Sequence, residues 1–193
     1  KQFANDNASN DWILSLDADE RISAELSDEI GQIFENNNEM DGFRIPRLTF
    51  YMGRPIKHCG WYPDHQLRLF DRRRSRWNGR VIHESVEMEP NSRIGKLNGE
   101  IIHYSIDDAA YHHRMIGERY APLSAKQMFE SGKKTSMAKI YTAGPAAFLR
   151  SYLFRLGILD GLPGYTISRF AAHHAFLKHL MLWEMQHKAV GKH

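Results

Sequence analysis

The most chemically suggestive run in these 193 residues is Asp17-Ala18-Asp19-Glu20, which directly follows the apolar stretch Trp12-Ile-Leu-Ser-Leu16. A short apolar run bounded by acids reads as a buried strand, expected in a parallel sheet, with an edge strand in a small mixed sheet as the plain alternative. If the backbone stays extended, Asp17 and Asp19 point to one side. Two carboxylates there offer oxygen ligands to Mg²⁺ or Mn²⁺, with water and substrate phosphates completing the shell. The C-terminal edge of such strands is also where open α/β sheets bind ligands. The plain alternative is a solvated turn, with Glu20 as the charge at a helix start.

Further reactive side chains sit at the ends of other apolar runs. Asp64 precedes a strand over Gln66–Phe70, His83-Glu84 follows Val81-Ile82, and His103 follows Ile101-Ile102. A carboxylate beside a bound sugar can act as general base. A histidine can complete a metal shell or contact phosphate. Arg72, Arg73 and Arg74, with Arg68, Arg76 and Arg80, make a basic cluster that could hold a diphosphate or form a solvated hairpin. Trp61, Tyr62 and Trp77 suit a sugar ring or a core equally.

The elements that must position these groups are legible as a pattern. Lys1–Asn10 reads as the end of a helix and a loop. Ser23 is an N-cap for a helix carrying Leu26, Ile30, Ile33 and Phe34 at helical spacing. Residues 42–50 alternate as a strand, with Pro46 marking an edge or bulge. Asn98-Gly99 predicts a hairpin turn. From Asp107 onward the pattern is helical: a first helix through Tyr111, Met115 and Tyr120 interrupted by Pro122, then helices over 146–159 and 166–187. The class is α/β with a helical C-terminal region, divided at 1–106 and 107–193.

Charge separates the same two regions. Residues 1–108 hold 14 Lys and Arg against 19 Asp and Glu, a net −5, whereas residues 109–193 hold 12 against 4, a net +8. Two zones of opposite sign argue against a uniformly basic nucleic-acid binder. Cys59, a single cysteine, excludes an internal disulfide framework and a cysteine-rich zinc module. No run of about 18 uncharged apolar residues predicts a spanning helix, and no leader is expected from the opening residues.

Together these residues resemble glycosyltransferase family two, inverting enzymes with the GT-A nucleotide-sugar fold. The resemblance rests on Trp12–Glu20, on Gly60-Trp-Tyr-Pro-Asp-His-Gln-Leu-Arg-Leu-Phe70, on Trp77-Asn-Gly-Arg-Val-Ile-His-Glu84 and on His103. Phe148-Leu-Arg-Ser-Tyr152, Gly157-Ile-Leu-Asp-Gly161 and Gly164 resemble the tail of a lipopolysaccharide-core β-glucosyltransferase-like subgroup. The resemblance implies an incomplete GT-A (Rossmann-like) mixed sheet. It implies Asp17 and Asp19 as the metal-and-diphosphate motif, with Asp19 the direct ligand. His83 and His103 stay as further metal candidates, and Asp17 and Arg68 as candidates for binding the donor. Glu84 is the base it favours. Asp64 is the runner-up, in a place where the acid usual before it is replaced by Pro63.

The implied partners are a nucleotide-sugar donor, expected to be a UDP-sugar, and a cell-envelope glycan or lipid-linked acceptor. The implied place is the cytoplasm, at the inner face of the membrane. The apolar and basic surface of residues 166–187 would dock there, or would pack against other helices. The family's leading βαβ region has no counterpart here, so the isolated chain is expected to bind nucleotide poorly and not to turn over. Two other classes compete. An aspartyl-phosphate hydrolase would want a small hydroxyl residue where Arg21 stands. A non-catalytic membrane or oligomer adaptor would not need Asp17 and Asp19.

Overall fold

The computed structural model describes residues 1–36, 39–79 and 85–190. In chain order the elements are α1 (Gln2–Asp6), β1 (Trp12–Leu14), β2 (Glu20–Ile22), α2 (Ala24–Glu35), β3 (Gly42–Tyr51), β4 (Arg54–Pro55), β5 (Asp64–Asp71), β6 (Ser75–Trp77), β7 (Val86–Met88), β8 (Ile94–Lys96) and β9 (Ile101–Ile106). The helices α3 (Ala109–Arg114), α4 (Ala121–Glu130), α5 (Met137–Leu149) and α6 (Gly161–Val190) follow. This is the mixed α/β class, consistent with the incomplete Rossmann-like fold expected, followed by helices.

Seven strands form one sheet in the order β1-β5-β3-β9-β2, with β4 and β8 also paired to β3. β1 pairs antiparallel with β5, and β2 antiparallel with β9, while β8 runs parallel to β3. The parallel setting expected for Trp12–Leu14 is therefore corrected: β1 is half-buried and antiparallel. β1 and β2 lie at opposite ends of this order, about 19 Å apart were the sheet flat. The five residues that join them reach about 20 Å only when fully extended, and they contain a turn. The sheet therefore curls, and the Asp17–Glu20 turn closes its two ends.

The chain divides into two compact units, Lys1–Thr49 with Tyr62–Tyr104, and Phe50–Trp61 with Ser105–His193. The first is built on Leu26, Phe43, Ile45, Leu69, Leu97 and Ile101, all buried, with Trp12 and Ile30 packed against them. Ser23 caps α2 as expected, its hydroxyl accepting from the Leu26 amide at 3.1 Å. Asn98-Gly99 does not close a hairpin, because β8 joins β3 instead. Both amides donate to the Glu29 carboxylate on α2 at 2.9 Å.

The second unit centres on Tyr51, Ile56, Cys59, Ile106 and Ile167. Pro122 does not interrupt the first helical stretch. A π-helical turn over Met115–Tyr120 precedes it, and Pro122 sits in the first turn of α4, where a missing N–H costs little. The helix expected over 146–159 ends earlier. α5 passes into a π turn at Arg150–Phe154, Leu156 takes a left-handed backbone with φ of 54°, and Gly157–Asp160 is a 3-10 turn. α6 then packs along α4 and α5, burying Ile167, Ala175 and Leu182. Among the described residues no helix is long and apolar enough to cross a membrane.

Candidate active site

Where the sheet's ends meet, the acidic run forms a turn rather than an extended strand. The Glu20 amide donates to the Asp17 carbonyl at 3.0 Å, and Ser15 N–H to the Arg68 carbonyl at 2.8 Å. Strict alternation stops at Leu14, so Asp17 and Asp19 meet different partners.

Asp17 accepts from Arg68 Nη2 at 2.8 Å and pairs with Lys1 Nζ at 2.6 Å. Burial pushes its carboxyl up, but hydrogen bonds and charges from Lys1 and Arg68 outweigh that and hold it at about 2. Asp19 is half-exposed and lies 3.2 Å from His103 Nε2 on β9. The other ring nitrogen of His103 lies 3.4 Å from the Thr49 hydroxyl. The antiparallel register that opposes Glu20 to His103 produces this meeting.

Two residues absent from the expectations organise the site. The Glu20 side chain is 0% exposed and accepts from Arg68 at 2.8 Å and from Arg47 at 3.2 Å. Its second oxygen accepts from the Asp17 amide at 2.9 Å. Arg47, on β3, also forks onto Asp64 with bonds of 3.0 and 2.6 Å, and Gln66 donates to the other Asp64 oxygen at 2.6 Å. A continuous chain of opposite charges thus runs Lys1–Asp17–Arg68–Glu20–Arg47–Asp64. The signal for Glu20 was its place inside the acidic run. For Arg47 it was a cation breaking the alternation between Ile45 and Leu48.

Among the described residues no three His, Cys, Asp or Glu side chains form a cluster able to hold a metal ion alone. The Asp19–His103 pair, with Asp17 nearby in sequence, is a donor set suited to a hard cation that takes its other ligands from water and phosphate. Arg68 Nε is buried with no hydrogen-bond partner among the described residues. The guanidinium that already holds Asp17 and Glu20 therefore keeps one donor for a further acceptor.

The other candidates have different surroundings. His83 and Glu84, with Arg80 and the Val81-Ile82 run, lie outside the described residues. The arginine cluster is neutralised internally: Arg73 grips Asp71 and Asp11, Arg74 binds Asp41, and Arg72 donates to the Asn5 carbonyl. That arrangement ties down the turn after β5, and among the described members Arg68 binds the acidic turn. Tyr62 donates to Glu100 at 2.7 Å. Trp77 packs edge-on to Phe70, with Lys1 over its ring.

Comparison with known proteins finds relatives of the chain by sequence. No protein-family model matches the chain, and no solved structure matches it. Curated relatives do. The chain is 30% identical over 186 residues to a protein of Rhizobium meliloti named lipopolysaccharide core biosynthesis glycosyltransferase LpsC, covering 92% of this chain and 65% of that one. It is 28% identical over 207 residues to uncharacterized glycosyltransferase RP128 of Rickettsia prowazekii, and 29% identical to uncharacterized glycosyltransferase RT0209 of Rickettsia typhi. Each of those matches covers 98% of this chain and 68% of the relative. The chain thus spans about two thirds of the length of these relatives. With 92–98% of its residues aligned to proteins of that kind, the chain fits assignment to the glycosyltransferases.

Proposed function

We propose that these residues carry the metal and acceptor half of an inverting, family-two glycosyltransferase that moves a sugar from a nucleotide donor, a UDP-sugar, to a cell-envelope glycan of the lipopolysaccharide-core type. In this reading residues 1–106 do the chemistry and residues 107–193 bring the protein to a lipid-linked acceptor at the cytoplasmic membrane face. The observation that carries it is the acidic turn at the join of the curled sheet, with Asp19 against His103 and Asp17 against Arg68.

Asp19 with His103 would hold Mg²⁺ or Mn²⁺, its other ligands being water and phosphate, while Asp17 is taken by Lys1 and Arg68. Such a cation, when bound, neutralises charge on a departing diphosphate. Arg68 adds a fixed positive group beside it, held by the buried Glu20. Because Glu20 also holds Arg47, one buried carboxylate orients the two guanidiniums that grip Asp17 and Asp64.

A base removes the proton from the acceptor hydroxyl as its oxygen attacks the anomeric carbon. The bond to the diphosphate breaks on the opposite face, so configuration inverts. Both Asp64 oxygens already accept hydrogen bonds, three in all, from Arg47 and Gln66. That engagement favours Glu84 as the base, with Asp64 as a fixed anion of the site. The test is a transfer assay from a UDP-sugar to lipopolysaccharide-core acceptor, in a polypeptide containing these 193 residues, with the product anomer read by NMR. Glu84→Gln is expected to lower turnover by 10² or more while acceptor binding stays. An equal loss in Asp64→Asn with none in Glu84→Gln would exchange the roles, and a product of retained configuration would contradict the single displacement.

A further inference from the structure

The segment between α5 and α6 has its polarity inverted. Its inward side is made of small residues. Gly157 presses on the Cys59 thiol and the Ser168 hydroxyl, and Gly164 on the Gly157 carbonyl, so neither position has room for a Cβ. Ser168 and Ser151 hydrogen-bond at 2.9 Å beneath them. The large apolar side chains point the other way. Leu153, Phe154, Leu156, Ile158, Leu159 and Leu162 are between 47% and 81% exposed, with Phe154 the most open. Six large apolar side chains in ten residues, held outward on a tightly packed backbone, exceed what scattered surface leucines account for.

The charge around this knuckle has one sign. Residues 131–183 contain seven Lys and Arg and a single acid, Asp160. That acid is turned inward: its side chain is 6% exposed and accepts from the Lys57 and His58 amides and from the His58 ring. Arg150 and Arg155 flank the apolar residues and are exposed. Beside the knuckle an open groove of about 650 Å³ runs between α5 and α6, lined by Pro145, Phe148, Leu149 and Phe176, with Arg169 on its wall.

We infer that the knuckle Leu149–Leu162 is the element that seats this protein in a bilayer interface rich in anionic lipid, with the groove taking an acyl chain whose charged headgroup meets Arg169. Apolar side chains enter the headgroup boundary and the surrounding cations draw the lipid charge. Pairing with a second copy is disfavoured, because a contact through this face would bring Arg150 and Arg155 of both copies into one interface with no exposed acid in the segment to match them. The inference rests on the membrane reading above but centres the contact on the knuckle and the groove beside it, since Ile167, Ala175 and Leu182 of α6 are buried in the fold.

The experiment is co-sedimentation of the 193-residue chain with phosphatidylglycerol and with phosphatidylcholine vesicles. Phe154→Ser with Leu162→Ser removes two exposed side chains and leaves the packed glycines intact. Expected is binding to the anionic vesicles alone, abolished in 0.5 M salt and weakened at least tenfold in the double variant. Unchanged binding by the double variant would overturn the knuckle while leaving the membrane reading standing. No binding by the parent chain at low salt would overturn both. A concentration-dependent dimer that the double variant makes monomeric, without vesicle binding by either, would assign the face to self-association instead. None of these outcomes touches the transfer reaction, which is assayed separately with soluble acceptor.

Discussion

Glu20 is the residue on which the candidate site turns. Its carboxylate is completely buried and held between two guanidiniums. Removing one partner from a buried ionic group leaves the others desolvated without compensation, at a cost of about 3–5 kcal/mol. Glu20→Ala is therefore expected to lower unfolding free energy by an amount of that order in urea titrations. A change under about 1 kcal/mol would show that the network is solvated and does not position Asp17 or Asp64. Asp17 adds an acid-range signature. Held at about 2 by Lys1 and Arg68 against the opposing effect of burial, it contributes stability that is complete above about pH 4 and is lost as pH falls toward 2. At this scale the sequence was half legible. The residue types that could bind a cation were visible in the acidic run. Their partners were not, because Arg47 and Arg68 reach the turn only through the pairing of strands distant in sequence.

At the scale of elements, the curled sheet explains why the acidic run is a turn. β1 and β2 must meet across the sheet's opening with five residues between them. Local alternation, read without knowing which strands pair, led instead to an extended motif in a parallel sheet. The Asn98-Gly99 turn failed as a hairpin for a related reason: Glu29 of α2 satisfies its amides, a contact that no local pattern encodes. The Ser23 cap and the helix after it were legible because capping and helical spacing are local.

The second unit has an element-scale test of its own. His112 on α3 is buried against the Tyr51 hydroxyl, 2.9 Å from Nδ1, with the Phe170 ring 4.3 Å from its own. Burial lowers its proton affinity to about 4, while burial and the nearby Asp108 push the Tyr51 phenol up to about 12. The imidazole is thus neutral in the fold and shares a hydrogen bond with the Tyr51 hydroxyl. A depressed histidine contributes stability that is complete above about pH 6.5 and lost as pH falls toward 4, here on the order of 2–3 kcal/mol. Thermal melts should show this loss, and His112→Asn should flatten it. An equally steep decline in that variant would place the titrating group elsewhere.

Over the whole molecule, charge divides along the sequence. The acidic front half holds the Asp17–Glu20 turn and the basic back half holds the exposed knuckle, so the proposed diphosphate and lipid contacts fall in different segments of the chain. The relatives align with both segments, since the matches cover 92% and 98% of this chain. Composition alone made that division legible. The exposed apolar knuckle was not, because α-helical periodicity marked α6 and could not foresee the outward leucines of a segment built from π and 3-10 turns.

If the acidic turn grips a divalent cation for diphosphate departure, sugar transfer follows manganese concentration. In a transfer-competent polypeptide containing residues 1–193, transfer is predicted to rise with Mn²⁺ and saturate, to vanish on chelation, and to fall at least 10³-fold in Asp19→Ala at any Mn²⁺ level. Transfer that is indifferent to chelator, or an Asp19→Ala variant that saturates at the parent rate, would contradict it.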